Sequence, residues 1–178
     1  LSTLKIYLEM YYSSPDDPEI KKRINDTLAE SITSVKEISN NLSPYILENL
    51  GLTKAVESFV DKLKYSKKID INFSSNITER CKPEIEIAFF RIITELINNT
   101  LKHSHATTID ITLTQETEKI YLKYTDNGEG FDYHEVQKHK NGIGLFNLKS
   151  RIEKLGGNTE IITSPGSGFK MNVYLGTD

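Results

Sequence analysis

The chain has 178 residues, 37% hydrophobic and 26% charged, with a formal net charge of -3. This fits a folded protein with one sizeable core plus a smaller element, and it lacks the basic balance that a nucleic-acid partner calls for, so none is expected. The single cysteine, Cys81, excludes an intrachain disulfide and a thiolate-built metal site, and it suits a reducing, cytoplasmic compartment. No apolar run is long enough to span a bilayer and no signal-peptide pattern is present, so these residues are expected to make no membrane contact.

The sequence opens in mid-pattern, with Leu1, Leu4, Leu8 and Tyr11 already at helical spacing. We therefore expect a piece of a longer, membrane-anchored protein. The SSPDDP segment, with Pro15 and Pro18, stops this first helix. A second helix starts near Pro18, with Glu19 in its first turn. Its apolar side, Ile24, Leu28, Val35, Ile38 and Leu42 with Ser31 in the gap, steps by threes and fours as the seam of a helix bundle does. A helical hairpin of this kind has too little core to stand alone, so a homodimeric four-helix bundle is expected. The pattern stops around Ser43, Pro44 and Gly51, which sets a boundary between a hairpin domain, residues 1–48, and a second domain, residues 49–178.

The second domain begins with a helix from Leu52 to about Tyr65, followed by an alternating strand, IDINF, at 69–73. Pro83 opens a long helix that reaches His103. Strands at 109–114 and 119–125 form a hairpin, a helix spans Leu145 to Leu155, and the strands TEIIT and FKMNVYL close the chain. The predicted class is α+β, a sandwich with helices on one face of a mixed, mostly antiparallel sheet.

Four features of this domain could carry chemistry. On the long helix, Glu95, Asn99 and Lys102 fall on one side, with His103 beside them. A neutral amide oxygen there could serve a hydrated Mg²⁺ completed by phosphates, although a polar helix stripe is more often solvated surface. At the end of a strand, Asp126, Gly128 and Gly130 belong to DNGEG, in which a carboxylate could accept from an exocyclic amine. By itself DNG is a common turn. Gly142, Gly144 and Leu145 precede a helix, where backbone amides can hold an anion. Gly166 and Gly168 sit in a loop that is more often a plain hairpin turn.

Their order is more specific than any one of them. An NxxKH helix, DNGxG, GxG before a helix and GxG between terminal strands resemble the N, G1 and G2 boxes of the GHKL superfamily, with its Bergerat-type fold. That superfamily includes sensor histidine kinases, gyrase, Hsp90 and MutL. The stretches LSTLKIYLE and LSPYILENLGL are similar to the dimerisation and phosphotransfer region of the histidine kinases that pair with LuxR-type response regulators. Glu95 in place of the first Asn, and only eleven residues, Phe131 to Asn141, between G1 and G2, also fit that subfamily.

The resemblance implies a catalytic portion that binds ATP and Mg²⁺ and moves the γ-phosphoryl to a histidine on the dimerisation helix, and thence to an aspartate of a response regulator. It implies Asn99 as the Mg²⁺ ligand, Lys102 and His103 as phosphate contacts, and Glu95 as a base or water-orienting group. Asp126 would hold the adenine amine, with Gly128 and Gly130 shaping the base pocket; Gly142, Gly144 and Leu145 would shape the phosphate loop. Two departures stand out. Phe169 occupies the place after the last GxG where the superfamily usually has Thr, and the acceptor histidine would precede Leu1. His134, followed by Glu135, superficially resembles an acceptor but falls in the expected lid. Two rival readings remain: a GHKL ATPase that uses Glu95 to activate water for conformational work, and a non-catalytic dimerisation module with a vestigial nucleotide site.

Overall fold

The computed structural model describes the backbone of residues 7, 9–12, 17–66, 69–138 and 143–177, and the side chains of 7, 9–12, 17–28, 45–64, 69–136 and 144–177. Leu1, Leu4 and Leu8, the Ser13–Asp16 part of the turn, the seam side chains Ser31, Val35, Ile38 and Leu42, and Gly142 of the glycine loop lie outside these residues. The chain divides into two compact units, Leu1–Tyr45 and Ile46–Asp178.

In the first unit, residues 9–12 are helical, and helix α1 (Pro18–Ser66, which also enters the second unit) begins at Pro18. Its start has a physical cause: the Asp17 carboxylate accepts from the Glu19 amide at 2.8 Å, satisfying a donor that the first helical turn leaves orphaned. Ile20 is buried, whereas Leu28 of the expected seam is exposed. The helix continues through Ser43 and Pro44, where a break was expected. A proline inside a helix forfeits one backbone hydrogen bond, which bends a helix without having to end it.

In the second unit the break falls at Gly51, with φ 79° and ψ 175°. That conformation is almost exclusive to glycine. Arg80 fastens the interruption: its guanidinium donates to the carbonyls of Leu47 (3.1 Å) and Glu48 (2.8 Å), in the helical turn before the kink. The same guanidinium grips the buried Glu86 carboxylate through Nε (2.8 Å) and a terminal nitrogen (2.7 Å), and Cys81 N adds a third donor at 3.1 Å. Beyond Gly51, the side chains of Leu52, Ala55, Val56 and Val60 enter the core.

The elements that follow are β1 (Asp70–Ser75), α2 (Pro83–His103), β2 (Thr108–Glu116), β3 (Lys119–Asp126), the short α3 (Tyr133–Lys138), α4 (Ile143–Lys154), β4 (Asn158–Thr163) and β5 (Phe169–Gly176). They build a five-stranded sheet in the order β1-β2-β3-β5-β4. β1 and β2 are parallel, with Ile71 opposite Ile109, while the other pairs are antiparallel. A parallel pair needs a crossover, and α2 is that crossover. Its residues Ile85, Ala88, Phe89, Ile92, Ile93, Leu96 and Ile97 recur at three- and four-residue steps, and all are buried. They pack on inward-facing sheet positions, among them Ile109, Ile111, Leu122 and Met171. Leu148 and Ile152 supply the buried side of α4. The helices cover one face of this mixed sheet, giving the α+β sandwich that the pattern predicts. Among the described residues, no helix is long and apolar enough to cross a membrane.

Candidate nucleotide site

Where the last turns of α2 meet the end of β3 and the start of α4, a cavity of about 300 Å³ opens. Asn99, Thr100, His103 and Ser104 come from α2 and its end, Asp126, Gly130 and Phe131 from the loop after β3, and Val136 from α3. Gly144 and Leu145 come from α4, and Phe169 from β5.

Asp126 is the chemical centre of one end. Its carboxylate is 4% exposed. One oxygen accepts from Gly128 N at 2.9 Å and the other from the Thr100 hydroxyl at 2.7 Å. Thr100 Oγ1 in turn lies 2.7 Å from the Tyr124 hydroxyl, which is wholly buried. Burial pushes the Tyr124 phenol well above its ordinary range; the Thr100 hydrogen bond opposes this shift, while the neighbouring Asp126 charge reinforces it. No buried side-chain polar atom among the described residues lacks a partner.

Asn127, between the two glycines' loop and β3, has a structural task. Its side-chain oxygen accepts from the amides of Thr107 and Thr108, both at 2.9 Å, and its nitrogen donates to Thr107 Oγ1. This ties the loop to the start of β2. Gly128 sits directly on Ser104, where a Cβ would collide with backbone and side chain. Gly130, at φ 61°, abuts the carbonyls of Ser164 and Gly168, and Gly168 at φ 68° abuts the Asp126 carbonyl. The Gly166–Gly168 turn is thus a buttress: Gly166 N donates to Glu129 O, and Thr163 Oγ1 donates to Gly168 O at 2.8 Å while accepting from Phe131 N at 3.2 Å.

At the other end, Gly144 faces the polar side of α2. A Cβ there would stand 3.1 Å from Glu95 Oε1 and 3.8 Å from Asn99 Nδ2. The fold therefore brings together Asn99, His103, Asp126, Gly130, Gly144 and Leu145 around one cavity. Glu95 borders it behind Gly144, Gly128 supports it from the Ser104 side, and Lys102 is exposed and outside the lining. Gly142 lies outside the described residues. His134 and Glu135 occupy the first turn of α3, their amides capped by Asp132 Oδ1 at 2.9 and 3.1 Å. Cys81 is not part of the lining, and burial pushes its thiol up, which disfavours the nucleophilic thiolate.

Phe169 occupies a buried position, stacked on Phe131 with centroids 5.9 Å apart and edge-on to Tyr124 at 6.3 Å. Phe169 was singled out in the sequence as a departure from the usual Thr, whereas Phe131, Tyr124, Thr100 and Val136 were not. Phe131 directly follows DNGEG, so its position in the motif was the one available signal. Thr100 and Tyr124 are indistinguishable in sequence from other inward positions of a helix and a strand.

The described residues contain no cluster of three His, Cys, Asp or Glu side chains able to cage a metal. The donor set fits a hydrated divalent ion shared with phosphates: a neutral amide at Asn99, an imidazole at His103 and glycine backbone opposite. The buried acceptor at Asp126, flanked by Phe131 and Phe169, fits a flat amino-bearing heterocycle.

Comparison with known proteins agrees with this geometry. Residues 84–178 match the family described as histidine kinase-, DNA gyrase B-, and HSP90-like ATPase. The chain is 31% identical over 185 residues to the sensor histidine kinase ComP of Bacillus subtilis (strain 168), covering 98% of this chain and 24% of that protein. It is 30% identical to the signal transduction histidine-protein kinase/phosphatase DegS of Brevibacillus brevis, covering 88% of this chain and 39% of that one. With LiaS, a sensor histidine kinase of Bacillus subtilis, identity is 28% over 90% of this chain and 44% of the relative. The chain thus spans less than half the length of these curated relatives. Among solved structures, the histidine kinase AdeS of Acinetobacter baumannii superposes with a TM-score of 0.59 at 19% identity, over 99% of this chain and 94% of that one. The blue-light activated histidine kinase EL346 of Erythrobacter litoralis gives 0.67 at 14%, over 84% and 50%; both share the fold. With the family matched across more than half of its residues, the chain belongs to the histidine kinase-, DNA gyrase B- and HSP90-like ATPases.

Proposed function

We propose that the chain is the ATP- and Mg²⁺-binding catalytic portion of a two-component sensor histidine kinase, working as a homodimer through its N-terminal helices. The observation that carries this reading is the buried Asp126 carboxylate in a cavity also lined by Asn99, His103 and Gly144. A buried carboxylate that already accepts from Gly128 N and Thr100 Oγ1 still has lone pairs for an adenine amine, and a hydrogen bond to it is charge-assisted. Phosphoryl transfer asks the protein mainly for positioning and charge neutralisation. Asn99 would hold Mg²⁺, which supplies the charge to offset the phosphates. His103 and the exposed Lys102 would contact phosphate oxygens, the latter on reorienting toward bound nucleotide. Glu95, behind Gly144, would orient the attacking group.

In the working protein the γ-phosphoryl would pass to a histidine on the dimerisation helix and then to an aspartate of a response regulator. The relatives named above are sensor kinases, and the resemblance of LSTLKIYLE and LSPYILENLGL to the dimerisation region of kinases that pair with LuxR-type regulators favours such a partner. The four histidines of this chain, His103, His105, His134 and His139, all fall after the hairpin residues. The acceptor would therefore belong to a flanking segment of the cytoplasmic region of a membrane-anchored protein. By itself the chain is expected to bind nucleotide without becoming labelled.

Calorimetry with a non-hydrolysable ATP analogue and Mg²⁺ tests the reading. We expect saturable binding that Asp126→Asn weakens about 10- to 100-fold, the worth of one hydrogen bond to a charged group. Absence of binding by the unaltered chain would refute the assignment, and labelling from radioactive ATP would refute the placement of the acceptor.

A further inference from the structure

The Asp126 carboxylate is not held by the DNG loop alone. Thr100 Oγ1 donates to one of its oxygens at 2.7 Å, and the same Oγ1 is 2.7 Å from the Tyr124 hydroxyl. The direction of these bonds is forced. An ionised carboxylate has no proton to give, so the single proton of Thr100 points at Asp126, and Tyr124 must donate to Thr100. Tyr124 can fill no other role, since it is fully buried and its burial favours the protonated phenol.

The GHKL resemblance places a threonine after the last GxG, and Phe169 stands there instead, without a hydroxyl and stacked on Phe131. The hydroxyl beside the carboxylate is delivered from helix α2 rather than from β5.

Resting on the reading of the cavity as an ATP site, we propose that Thr100, oriented by Tyr124, is a positioning residue that sets the base selectivity of the cavity for a 6-amino purine over a 6-oxo purine. A threonine hydroxyl free to rotate could donate to a ring carbonyl and so admit guanine. With its one proton committed to Asp126 and one of its two lone pairs taken by Tyr124, Thr100 has no donor left for the cavity. The two residues that line this end, Asp126 and Thr100, then present acceptor capacity only. An adenine amine satisfies it, whereas a guanine carbonyl meets acceptors with no proton between them.

The test is binding of the full chain to Mg²⁺ complexes of ATP and GTP analogues and of tripolyphosphate, by competition calorimetry. Thr100→Val keeps the shape and removes the hydroxyl. We expect it to cut the ATP-over-GTP affinity ratio about tenfold, the worth of one charge-assisted hydrogen bond, while tripolyphosphate affinity stays within about twofold. Thr100→Ser should restore the ratio. An unchanged ratio in Thr100→Val, or equal losses for ATP and tripolyphosphate, would overturn the proposal. If Thr100→Val is too unstable to titrate, Tyr124→Phe, which keeps the ring, carries the same readout: a fall of about threefold supports the relay and no change overturns it. Failure of the unaltered chain to bind ATP would instead overturn the underlying site assignment, and the proposal with it.

Discussion

Asp126, Thr100 and Tyr124 form a chain of hydrogen bonds in which every proton has one possible place, and that fixes how the molecule should respond to alkali. Burial holds the Tyr124 phenol protonated beyond its ordinary range, whereas in the unfolded chain it titrates near ~10. Between those points the unfolded state has released a proton that the folded state keeps, so stability falls as pH rises through the window. Urea denaturation should show Tyr124→Phe less stable than the unaltered chain by about 1 kcal/mol at pH 8, with the gap narrowing toward pH 11. A constant gap would mean that the phenol ionises freely. This residue scale was also the least legible in the sequence. Asn99, His103, Asp126 and Gly144 are visible because motif spacing marks them. Thr100 and Tyr124 are visible only once α2 is seen to lie across β3, since a buried hydroxyl pair has no spacing of its own.

Among the elements, the interrupted helix α1 and the segment that locks it show what local rules can and cannot foresee. Pro83 and an unbroken three- and four-residue periodicity gave α2 its limits, and the structure has the same ones, Pro83–His103. Of the boundary residues Ser43, Pro44 and Gly51, the helix runs on through the first two and is kinked at Gly51. One contributor lies outside local sequence: Arg80, which donates to the carbonyls of Leu47 and Glu48 from far along the chain. The Arg80–Glu86 pair is asymmetric, with the arginine side chain 51% exposed and the glutamate 3%. Removing the arginine strands a buried carboxylate, whereas removing the glutamate charge leaves a cation that water can solvate. Arg80→Ala should therefore lower Tm more than Glu86→Gln does, by about 3 °C or more. Gly51→Ala should destabilise by about 1–3 kcal/mol from backbone conformation alone. Thermal melts of the three variants check both statements; a neutral Gly51→Ala would show that the helix can run straight.

For the molecule as a whole, all residues lining the cavity lie between 96 and 169, inside the unit Ile46–Asp178. A chain trimmed to residues 46–178 should therefore bind the ATP analogue within about twofold of the full chain, since no lining residue is lost. A loss beyond tenfold in calorimetry would place part of the binding surface in the first unit. The class of the sheet and its antiparallel hairpins were legible from alternation and turn residues. The parallel pairing of β1 with β2 was not, because it joins residues 38 positions apart, as Asp70 and Thr108 are, and nothing local specifies it.

That parallel pair has a consequence for the order of assembly during folding. Closing β1 onto β2 requires the intervening chain, α2 included, to be laid over the sheet first, a non-local step with a high loop-closure cost. α2 carries Asn99, Thr100 and His103, so we expect the cavity to form in the same step. In a stopped-flow refolding experiment, recovery of nucleotide binding should then track the β-sheet signal with one rate constant. The slowest strand pairing would act as the timer that decides when a newly made chain first acquires its ligand.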